Sequence, residues 1–311
     1  MTRRGLFKAV AACAAFGVTP VSARSSVGVR ARRRDPALVR AVSFNIRYGT
    51  AADGPDAWGQ RSHRVDAAIA LLRPQILATQ EAHAFQIREL LERHPRFAAV
   101  GAHRVDGRIG GEGCVTLYDR ESFLLGESGV FGLSDEPERI GHVSWDNAWP
   151  RICAWARLIE YRTGASLLVA NTHLDNRGKR SQRLGARLIR DRLSGLRRVD
   201  DAGVVLMGDF NAVTGEPALE IVTEGSDGLR DTIGPSHRDA GTGTYTAFDP
   251  TSDGGGRRID FVLASARLAV EASGIERSRI DGRYPSDHFP VWADLRLETP
   301  REPDRERYQT D

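Results

Sequence analysis

Cysteine and methionine are scarce in this sequence, and three common site signatures are missing from it. The 311 residues include only three cysteines and two methionines. No pair of closely spaced cysteines, no His-Glu-x-x-His segment and no Gly-x-x-x-x-Gly-Lys-Ser/Thr run occurs. These absences exclude a cysteine-ligated zinc site, a zinc-peptidase helix and a phosphate-binding P-loop.

The few cysteines give little support for cross-linking. Cys114 and Cys153 each lie inside an apolar stretch, whereas Cys13 falls in the N-terminal segment. Buried free thiols are expected, because cysteine often packs as a small apolar residue. One disulfide bridge between Cys114 and Cys153 is the alternative, since an oxidising compartment would permit it.

The sequence has no strong excess of charge of either sign. Its formal net charge is +3, and its basic residues are almost entirely arginine. Three of the positive charges, Arg3, Arg4 and Lys8, belong to an N-terminal segment without acidic residues, so the rest of the chain is near neutral. A near-neutral body gives no support to a broad electrostatic surface for nucleic acid.

Residues 1–23 predict an export signal. Arg3 and Arg4 precede the apolar run 9–18, and the small residues at 21–23 suit a cleavage site. The run is too short to span a bilayer, and no other segment is apolar enough to do so. The paired arginines resemble a twin-arginine signal, with an ordinary secretory signal as the alternative. Either signal predicts an exported protein, periplasmic or secreted.

Composition predicts one domain between two polar ends. Residues 24–37 are rich in Ser, Gly and Arg, which predicts a linker. Residues 299–311 are charged and contain proline, which predicts a flexible tail. No linker divides the chain between these ends, so residues 38–298 are expected to form a single, monomeric catalytic domain.

Short apolar runs typical of β-strands alternate with a few helical patterns. The predicted strands are 38–44, 75–79, 114–118, 152–159, 166–170, 203–207, 259–263 and 291–297. The predicted helices are 64–72, 84–91, 179–196 and 217–222. Because many of the strands are too polar for burial on both faces, they predict two packed sheets covered by helices.

Polar side chains stand at the ends of the apolar runs in six separate segments. They are Asn45, Glu81, Asn171 with His173, Asp209 with Asn211, Asp260, and Asp287 with His288. A single acid at a strand end is ordinary turn chemistry. A sixfold recurrence points to a site, because strand ends are where α/β proteins place ligands.

Grouping several of these carboxylates requires a counter-charge. Burial of carboxylates without a cation is very costly, and a metal ion offsets that cost. Oxygen-rich ligands favour Mg²⁺, Mn²⁺ or Ca²⁺ over Zn²⁺. The residues therefore predict a site for a hard divalent cation.

The same segments resemble the successive motifs of the endonuclease/exonuclease/phosphatase family. The matching motifs follow the family's order across residues 38–298 and are Ser43-Phe44-Asn45, Gln80-Glu81, Asn171-Thr172-His173, Gly208-Asp209-Phe210-Asn211, Arg258-Ile259-Asp260-Phe261 and Ser286-Asp287-His288-Phe289-Pro290-Val291. The resemblance implies an α+β fold, a four-layer α/β/β/α sandwich of two packed mixed β-sheets flanked by helices. It also implies metal-dependent cleavage of phosphate esters, with Mg²⁺ or Mn²⁺ as cofactor.

The resemblance also implies a role for each motif residue. The metal ligands would be Glu81, as the main one, with Asn45 and Asp287. Asp260 would hydrogen-bond His288 and fix its tautomer, and Asn211 would hold the water or the phosphate. His173 would donate to a phosphoryl oxygen or to the leaving group. Whether Asp209 or the His288–Asp260 pair is the general base stays open.

Residues near or between the motifs are weaker candidates for substrate binding. They are Arg47, Trp58, Arg61 and Arg151. The alternative for Trp58 is a loop anchor, and the alternative for the arginines is a solvated face. Glu112 could also approach the site, and Asp175 would face the same side as His173 if the strand continues.

The sequence leaves the substrate open, and two other functions compete with the main one. The expected substrate is a phosphate ester, whether a nucleotide, a sugar phosphate, a lipid headgroup or a nucleic acid. One alternative is a dinuclear metallophosphatase of another fold, although its early Asp-x-His and its mid-chain Gly-Asn-His signatures are missing. The other is a non-catalytic binding module that keeps the fold, which would be expected to have lost a central group.

Overall fold

A computed structural model describes residues 38–199, 202–225 and 228–297. The predicted signal at 1–23, linker at 24–37 and tail at 299–311 lie outside the described residues. The strands are β1 (Leu38–Asn45), β2 (Ile76–Ala82), β3 (Phe97–His103), β4 (Gly113–Asp119), β5 (Phe123–Gly132), β6 (Ile152–Glu160), β7 (Ser166–His173), β8 (Gly203–Asp209), β9 (Arg230–Asp231), β10 (Asp260–Ala264), β11 (Leu268–Ile275) and β12 (Val291–Leu297). The helices are α1 (Trp58–Leu72), α2 (Ala84–Arg93), α3 (Lys179–Arg197) and α4 (Pro217–Thr223), and a 3-10 turn at Gly54–Asp56 precedes α1.

The strands form two mixed six-stranded sheets. The first sheet has the order β11-β12-β1-β2-β4-β3, and the second has the order β5-β6-β7-β8-β10-β9. In each sheet the central pair is parallel, β1 with β2 and β7 with β8. The other paired strands are antiparallel.

Alternating side chains of the strands give each sheet an inner and an outer apolar face. Ile76 of β2 packs between the sheets with Val205 of β8, whereas its neighbour Leu77 packs outward against Ile69 of α1. On the outer face of the second sheet, Ile189 of α3 packs in a separate cluster. Burying one such side chain stabilises the fold by about 2 kcal/mol. The predicted α/β/β/α sandwich is confirmed, and the alternative of a metallophosphatase of another fold is wrong.

The four predicted helices are present, with one start displaced. α3 and α4 begin at the predicted residues, and α1 ends at Leu72 as predicted, where Arg73 takes a left-handed conformation. α1 begins at Trp58, six residues before the predicted start. Its first turns were not predicted because Trp58 to His63 contain mostly polar residues and Gly59.

The strands that the sequence did not predict are the four edge strands. β11 and β3 border the first sheet, and β5 and β9 border the second. β5 and β11 expose most of their central residues, and β9 has only two residues. Edge strands carry charged and glycine residues that protect an unpaired side, so they lack the apolar runs on which the prediction depends.

Both cysteines in the described ranges are free and buried, as predicted. Burial raises the pKa of the Cys114 thiol to about 12. The alternative of a Cys114–Cys153 bridge is wrong. Among the helices of the described ranges, none combines the length and the apolar character needed to cross a bilayer.

Candidate active site

Strand ends of both sheets bring the predicted site residues to one rim of the sandwich. Asn45 and Glu81 lie at the ends of the parallel pair in the first sheet, and His173 and Asp209 end the parallel pair in the second. β10 and β12 run antiparallel to these strands, so their first residues reach the same rim. A cavity of about 990 Å³ opens there, and its lining includes Glu81, His173, Asp209, Asn211, Asp287 and His288.

Asn45 joins the two sheets beside this cavity. Its Nδ2 donates to Glu81 Oε1 at 3.1 Å and to Asp209 Oδ2 at 3.0 Å. Its Oδ1 accepts the backbone N–H of Arg47 at 3.0 Å, which fixes the orientation of the amide. In this orientation Asn45 presents hydrogen-bond donors to the two carboxylates, so the oxygen that would bind a metal ion points elsewhere.

Asp209 is a buried carboxylate that contacts Asn211 and lies near both imidazoles of the site. Oδ1 accepts the backbone N–H of Asn211 at 2.9 Å, and Oδ2 lies 3.5 Å from His173 Nε2 and 3.8 Å from His288 Nε2. Burial, together with the charge of Asp260, raises the pKa of Asp209 above its ordinary value. The group therefore has a greater affinity for a proton than a surface aspartate has.

His288 and Asp260 form a buried pair, as the motif predicted. His288 Nδ1–H donates to Asp260 Oδ2 at 2.8 Å. Burial alone lowers the pKa of His288, but the charge and hydrogen bond of Asp260, with the charges of Asp209 and Asp287, raise it well above its ordinary value. The three surrounding carboxylates thus stabilise the imidazolium form.

His173 is hydrogen-bonded at the cavity to the side-chain amide of Asn211. Asn211 Nδ2 donates to His173 Nε2 at 3.0 Å and also to the carbonyl of Leu174 at 3.1 Å, so the amide group is the donor. Burial, followed by the charges of Arg151 and Arg104, lowers the pKa of His173 well below its ordinary value. The imidazole is therefore neutral, and its Nε2 accepts a hydrogen bond from Asn211.

Three residues around the cavity have a strained, left-handed backbone without being glycine. Their φ angles are 57° for Arg47, 59° for Glu81 and 47° for Asn211. Each such conformation costs about 1 kcal/mol or more and persists where the surrounding structure enforces it. Glu81 lies where the pairing of β2 with β4 is interrupted, between Thr79 and Ala82. The interruption lets a side chain of the first sheet reach the cavity.

The donor set fits a hard divalent cation. The guanidinium of Arg47 lies 3.9 Å from Glu81 Oε2 and 3.7 Å from Asp287 Oδ2, so two carboxylates of the predicted metal set surround one positive group. Burial, with the charge of Glu81, raises the pKa of Asp287. Such crowded carboxylates are stabilised by Mg²⁺ or Mn²⁺, which prefer oxygen ligands.

A second group of donors lies beside the first. Asp209, Asp260 and His288 offer ligand atoms that all lie within 4.8 Å of one another. The hydrogen bond between His288 and Asp260 already uses one ring nitrogen and one carboxylate oxygen. Glu81 and Asp287 line the cavity, whereas Asp260 is not among the residues that line it.

Two of the four weaker candidates reach the cavity. Arg47 lines it and is held by Asp53, with Nε 3.1 Å from Asp53 Oδ2. Arg151 lines it as well and lies 3.5 Å from Asp175 Oδ2, although only 5% of its side chain is exposed. Both guanidinium groups therefore contribute positive charge to the cavity wall.

Trp58 and Arg61 are not among the residues that line the cavity, so the geometry gives no support to the prediction that they bind substrate. Trp58 is buried in the outer core of the first sheet, and its indole N–H donates to Glu89 at 2.9 Å. Arg61 is 0% exposed and donates to the carbonyls of Asp56, Pro285 and Arg47 at 2.8, 3.1 and 3.0 Å. Both residues hold neighbouring loops in place.

The cavity wall also contains side chains that the sequence prediction did not assign. They include Tyr48, His83, Arg104, Trp149, Asn176, Lys179, Tyr245 and Arg257. Tyr245 contacts the edge of the His288 ring, with 5.1 Å between the ring centroids. These residues lie in loops or at element ends, where no periodic pattern distinguishes a site residue from an ordinary surface residue. Glu112, which the sequence placed near the site, also lines the cavity.

Comparison with solved structures agrees with this architecture. An endonuclease/exonuclease/phosphatase protein from Bacteroides vulgatus is 28% identical, with a TM-score of 0.76 over 84% of this chain and 99% of that chain. A mannosyl-6-phosphatase from Bacteroides thetaiotaomicron is 31% identical, with a TM-score of 0.75 over 83% of this chain and 99% of that chain. The catalytic domain of human Nocturnin, 20% identical with a TM-score of 0.67 over 83% of this chain and 94% of that chain, shares the fold.

Sequence comparison gives the family. Among curated proteins, none matches the chain significantly. Residues 42–288 match the Endonuclease/Exonuclease/phosphatase family, a range that runs from β1 to the His288 motif. Because this match spans most of the chain and includes all six motif segments, from Asn45 to His288, the protein belongs to the Endonuclease/Exonuclease/phosphatase family.

Proposed function

We propose that this protein hydrolyses phosphate monoesters, with sugar phosphates as the preferred class, and that it uses Mg²⁺ or Mn²⁺. The observation that carries the proposal is the convergence of Glu81, Asp209, Asp287 and His288 on one cavity from distant parts of the chain. The family acts on phosphate esters, and the 31% identity to a mannosyl-6-phosphatase supports a sugar monoester.

The dimensions of the cavity support a substrate larger than inorganic phosphate. Its volume of about 990 Å³ lies at the upper end of the range for small-molecule sites. Its wall combines the arginines Arg47, Arg104 and Arg151 with aromatic side chains. Such a wall suits a phosphoryl group attached to a hydroxylated ring.

Glu81 and Asp287 would hold the metal ion, with Asn45 beside them. When bound, the cation supplies charge stabilisation to the phosphoryl oxygens. Arg47, which lies between the two carboxylates, would turn toward the phosphate or toward Asp53, to which it is already bonded.

The remaining residues have roles in the displacement itself. Water attacks phosphorus, and the bond between phosphorus and the ester oxygen breaks. The ester oxygen leaves as the free alcohol after it takes up the proton that the attacking water has given to Asp209, with inorganic phosphate as the other product. Asp209 takes a proton from the attacking water, because it lines the cavity and its Oδ2 lies 3.5 and 3.8 Å from the Nε2 atoms of His173 and His288. His288, charged and held by Asp260, binds a phosphoryl oxygen. Neutral His173 orients Asn211, whose Oδ1 is left to accept a hydrogen bond from the attacking water.

A substrate panel tests the proposal. Phosphate release would be measured with mannose 6-phosphate, glycerol 3-phosphate, adenosine 5′-monophosphate and bis-p-nitrophenyl phosphate, with Mg²⁺ and with Mn²⁺. We expect the highest kcat/KM with mannose 6-phosphate, loss of activity in EDTA, and loss of at least about a hundredfold in Asp209→Asn. Asp191→Asn, an exposed change on α3, is the matched control and should retain full activity.

The other outcomes distinguish the alternatives. Preference for bis-p-nitrophenyl phosphate over every monoester would make the protein a diesterase and contradict the proposal. No turnover of any of these compounds, with phosphate still bound in the presence of Mg²⁺, would favour the non-catalytic binding module.

A further inference from the structure

Trp149 is a large exposed aromatic residue on the wall of the active-site cavity. Its surface is 57% exposed, and it lines the same cavity as His173 and Asp209. Tryptophan is usually largely buried, because hydration of an apolar ring of this size is unfavourable. An exposed indole at a catalytic cavity is therefore a candidate for contact with the substrate.

Hydrogen bonds and an ion pair hold the backbone on both sides of Trp149. Before it, the Asp146 carboxylate accepts the backbone N–H groups of Arg180 and Ser181 at 3.0 and 2.6 Å, in the first turn of α3. The backbone N–H of Ala148 donates to Asp175 Oδ2 at 3.0 Å. After it, Pro150 restricts the chain, and Arg151 Nε lies 3.5 Å from the same Asp175 oxygen. The indole therefore belongs to a segment, residues 146–151, whose position is fixed by these contacts.

The ring itself is supported from the opposite sheet. The guanidinium carbon of Arg104 lies over the Trp149 ring, 5.5 Å from its centroid. Arg104 Nη2 donates to Glu112 Oε1 at 2.7 Å, which holds the guanidinium in place. A loop of the first sheet therefore orients an indole carried by a loop of the second, through a cation–π contact.

The groups beside the indole suit the hydroxyls of a sugar. Arg104 offers donors and Glu112 offers acceptors, and both line the cavity next to Trp149. A pyranose presents an apolar C–H face together with an edge of hydroxyl groups. The apolar face matches an aromatic ring, and the hydroxyl edge matches an adjacent guanidinium–carboxylate pair.

We propose that Trp149, supported by Arg104, is the subsite that stacks on the sugar ring of the leaving group and sets the preference for ring-bearing phosphate esters. The inference rests on the proposed function, because it assigns the part of the substrate that is attached to the phosphate. Trp149 acts on the leaving group, whereas Asp209, Glu81 and His288 act on the phosphoryl group that all substrates share.

The test compares a cyclic and an acyclic monoester. In Trp149→Ala, kcat/KM for mannose 6-phosphate should fall about tenfold, whereas kcat/KM for glycerol 3-phosphate should change less than about twofold. Trp149→Phe, which keeps an aromatic ring, should recover most of the loss. Tyr161→Ala is the matched control, because Tyr161 is also an exposed aromatic residue, 56% exposed, and is not among the residues that line the cavity.

Three results would overturn the inference. An equal fall with both esters would show that Trp149 affects the shared machinery. A fall with adenosine 5′-monophosphate alone would show that the ring stacks on a base. An unchanged kcat/KM with every substrate would show that the indole contacts none of them.

Failure of the proposed function gives a separate result. If wild-type protein hydrolyses no phosphate ester, binding of mannose 6-phosphate in Mg²⁺ would be measured by calorimetry for wild type and for Trp149→Ala. Binding that weakens about tenfold in the variant supports the stacking subsite without catalysis. Absence of binding by wild type, or equal binding by both proteins, overturns it.

Discussion

Asn45 in the first sheet donates through Nδ2 to Oδ2 of Asp209 in the second sheet, at 3.0 Å, between residues 164 positions apart in the chain. The same amide group donates to Glu81 at 3.1 Å. One neutral side chain thus separates two carboxylates and connects the two sheets at the active site.

Replacing this amide with a third carboxylate should destabilise the metal-free protein. Asn45→Asp is nearly isosteric but places a buried negative charge against Glu81 and Asp209, so the free energy of unfolding should fall by about 3 kcal/mol. Mg²⁺ should restore part of this loss, and the rise in Tm that Mg²⁺ causes should exceed that of wild type. Thermal unfolding with EDTA and with Mg²⁺ measures both effects. An unchanged Tm in EDTA would mean that the three groups are not close together.

Two variants separate the general base from the phosphate clamp. Asp209→Asn should lower kcat at least about a hundredfold and leave inhibition by inorganic phosphate unchanged or stronger, because it removes a negative charge. His288→Asn should weaken phosphate inhibition as well as lower kcat, because it removes a positive group. Steady-state kinetics with phosphate as product inhibitor measures both. The reverse pattern would make the His288–Asp260 pair the base.

The stability of the metal-free protein should fall as pH rises from about 5 to 8. Burial, with the charge of Glu81, raises the pKa of Glu112 to about 7, and burial raises that of Asp209. Between about pH 4 and its folded pKa, each acid is protonated in the folded state and ionised in the unfolded state. Its contribution to stability is therefore lost as pH rises through the folded pKa. His288, with its raised pKa, loses its contribution above about pH 6.5. His173 has a lowered pKa, so its contribution to stability increases as pH rises toward about 6.5. This effect is opposite to that of the two acids, but only one group contributes it.

The measurement is the Tm in EDTA and in Mg²⁺ between pH 5 and 8. Mg²⁺ should raise the Tm more at pH 8 than at pH 5, because the ionised carboxylates are its ligands. A Tm in EDTA that rises steadily over this range would contradict the assignment of these pKa shifts.

Arg61 should be important for stability and should not contact the substrate. Arg61→Ala removes a buried guanidinium that donates to three carbonyls of separate loops, and the free energy of unfolding should fall by about 3 kcal/mol. Arg183→Ala, an exposed change on α3, is the control. Its free energy of unfolding should fall by less than about 0.5 kcal/mol. Chemical denaturation measures both variants. A large rise in KM for Arg61→Ala without a loss of stability would instead support the prediction that Arg61 binds substrate.

Most of the fold could be predicted because its central strands are buried and apolar. β7 and β8 contain continuous apolar runs that end in polar residues, and β1 is mostly apolar apart from Arg40 and Ser43, so the sequence shows both the strand and the rim. The edge strands β3, β5, β9 and β11 have weak patterns, because one side of each is unpaired and much of each is exposed. The interior of each sheet is therefore encoded more strongly in the sequence than its borders.

The site residues at strand ends could be predicted, because polar side chains recur there in the sequence. The site residues whose position depends on contacts between loops could not. Glu81 and Asp209 each follow an apolar run, and the order of their motifs matched a family. Trp58 and Arg61 lie close to the same motifs in sequence, but their side chains point into the structure behind the cavity. Trp149 had no signal of its own, since its relation to Arg104 exists only after the two sheets have packed.

The most direct test of the account is the position of a bound Mn²⁺ ion in crystals of the protein soaked with Mn²⁺ and phosphate. Anomalous scattering at the manganese edge should show the ion within about 2.5 Å of carboxylate oxygens of Glu81 or Asp287, with phosphate beside it and close to His288 and Asn211. A strong peak only at the exposed group of Asp135, Glu136 and His142, with the cavity lacking both manganese and phosphate, would contradict the account.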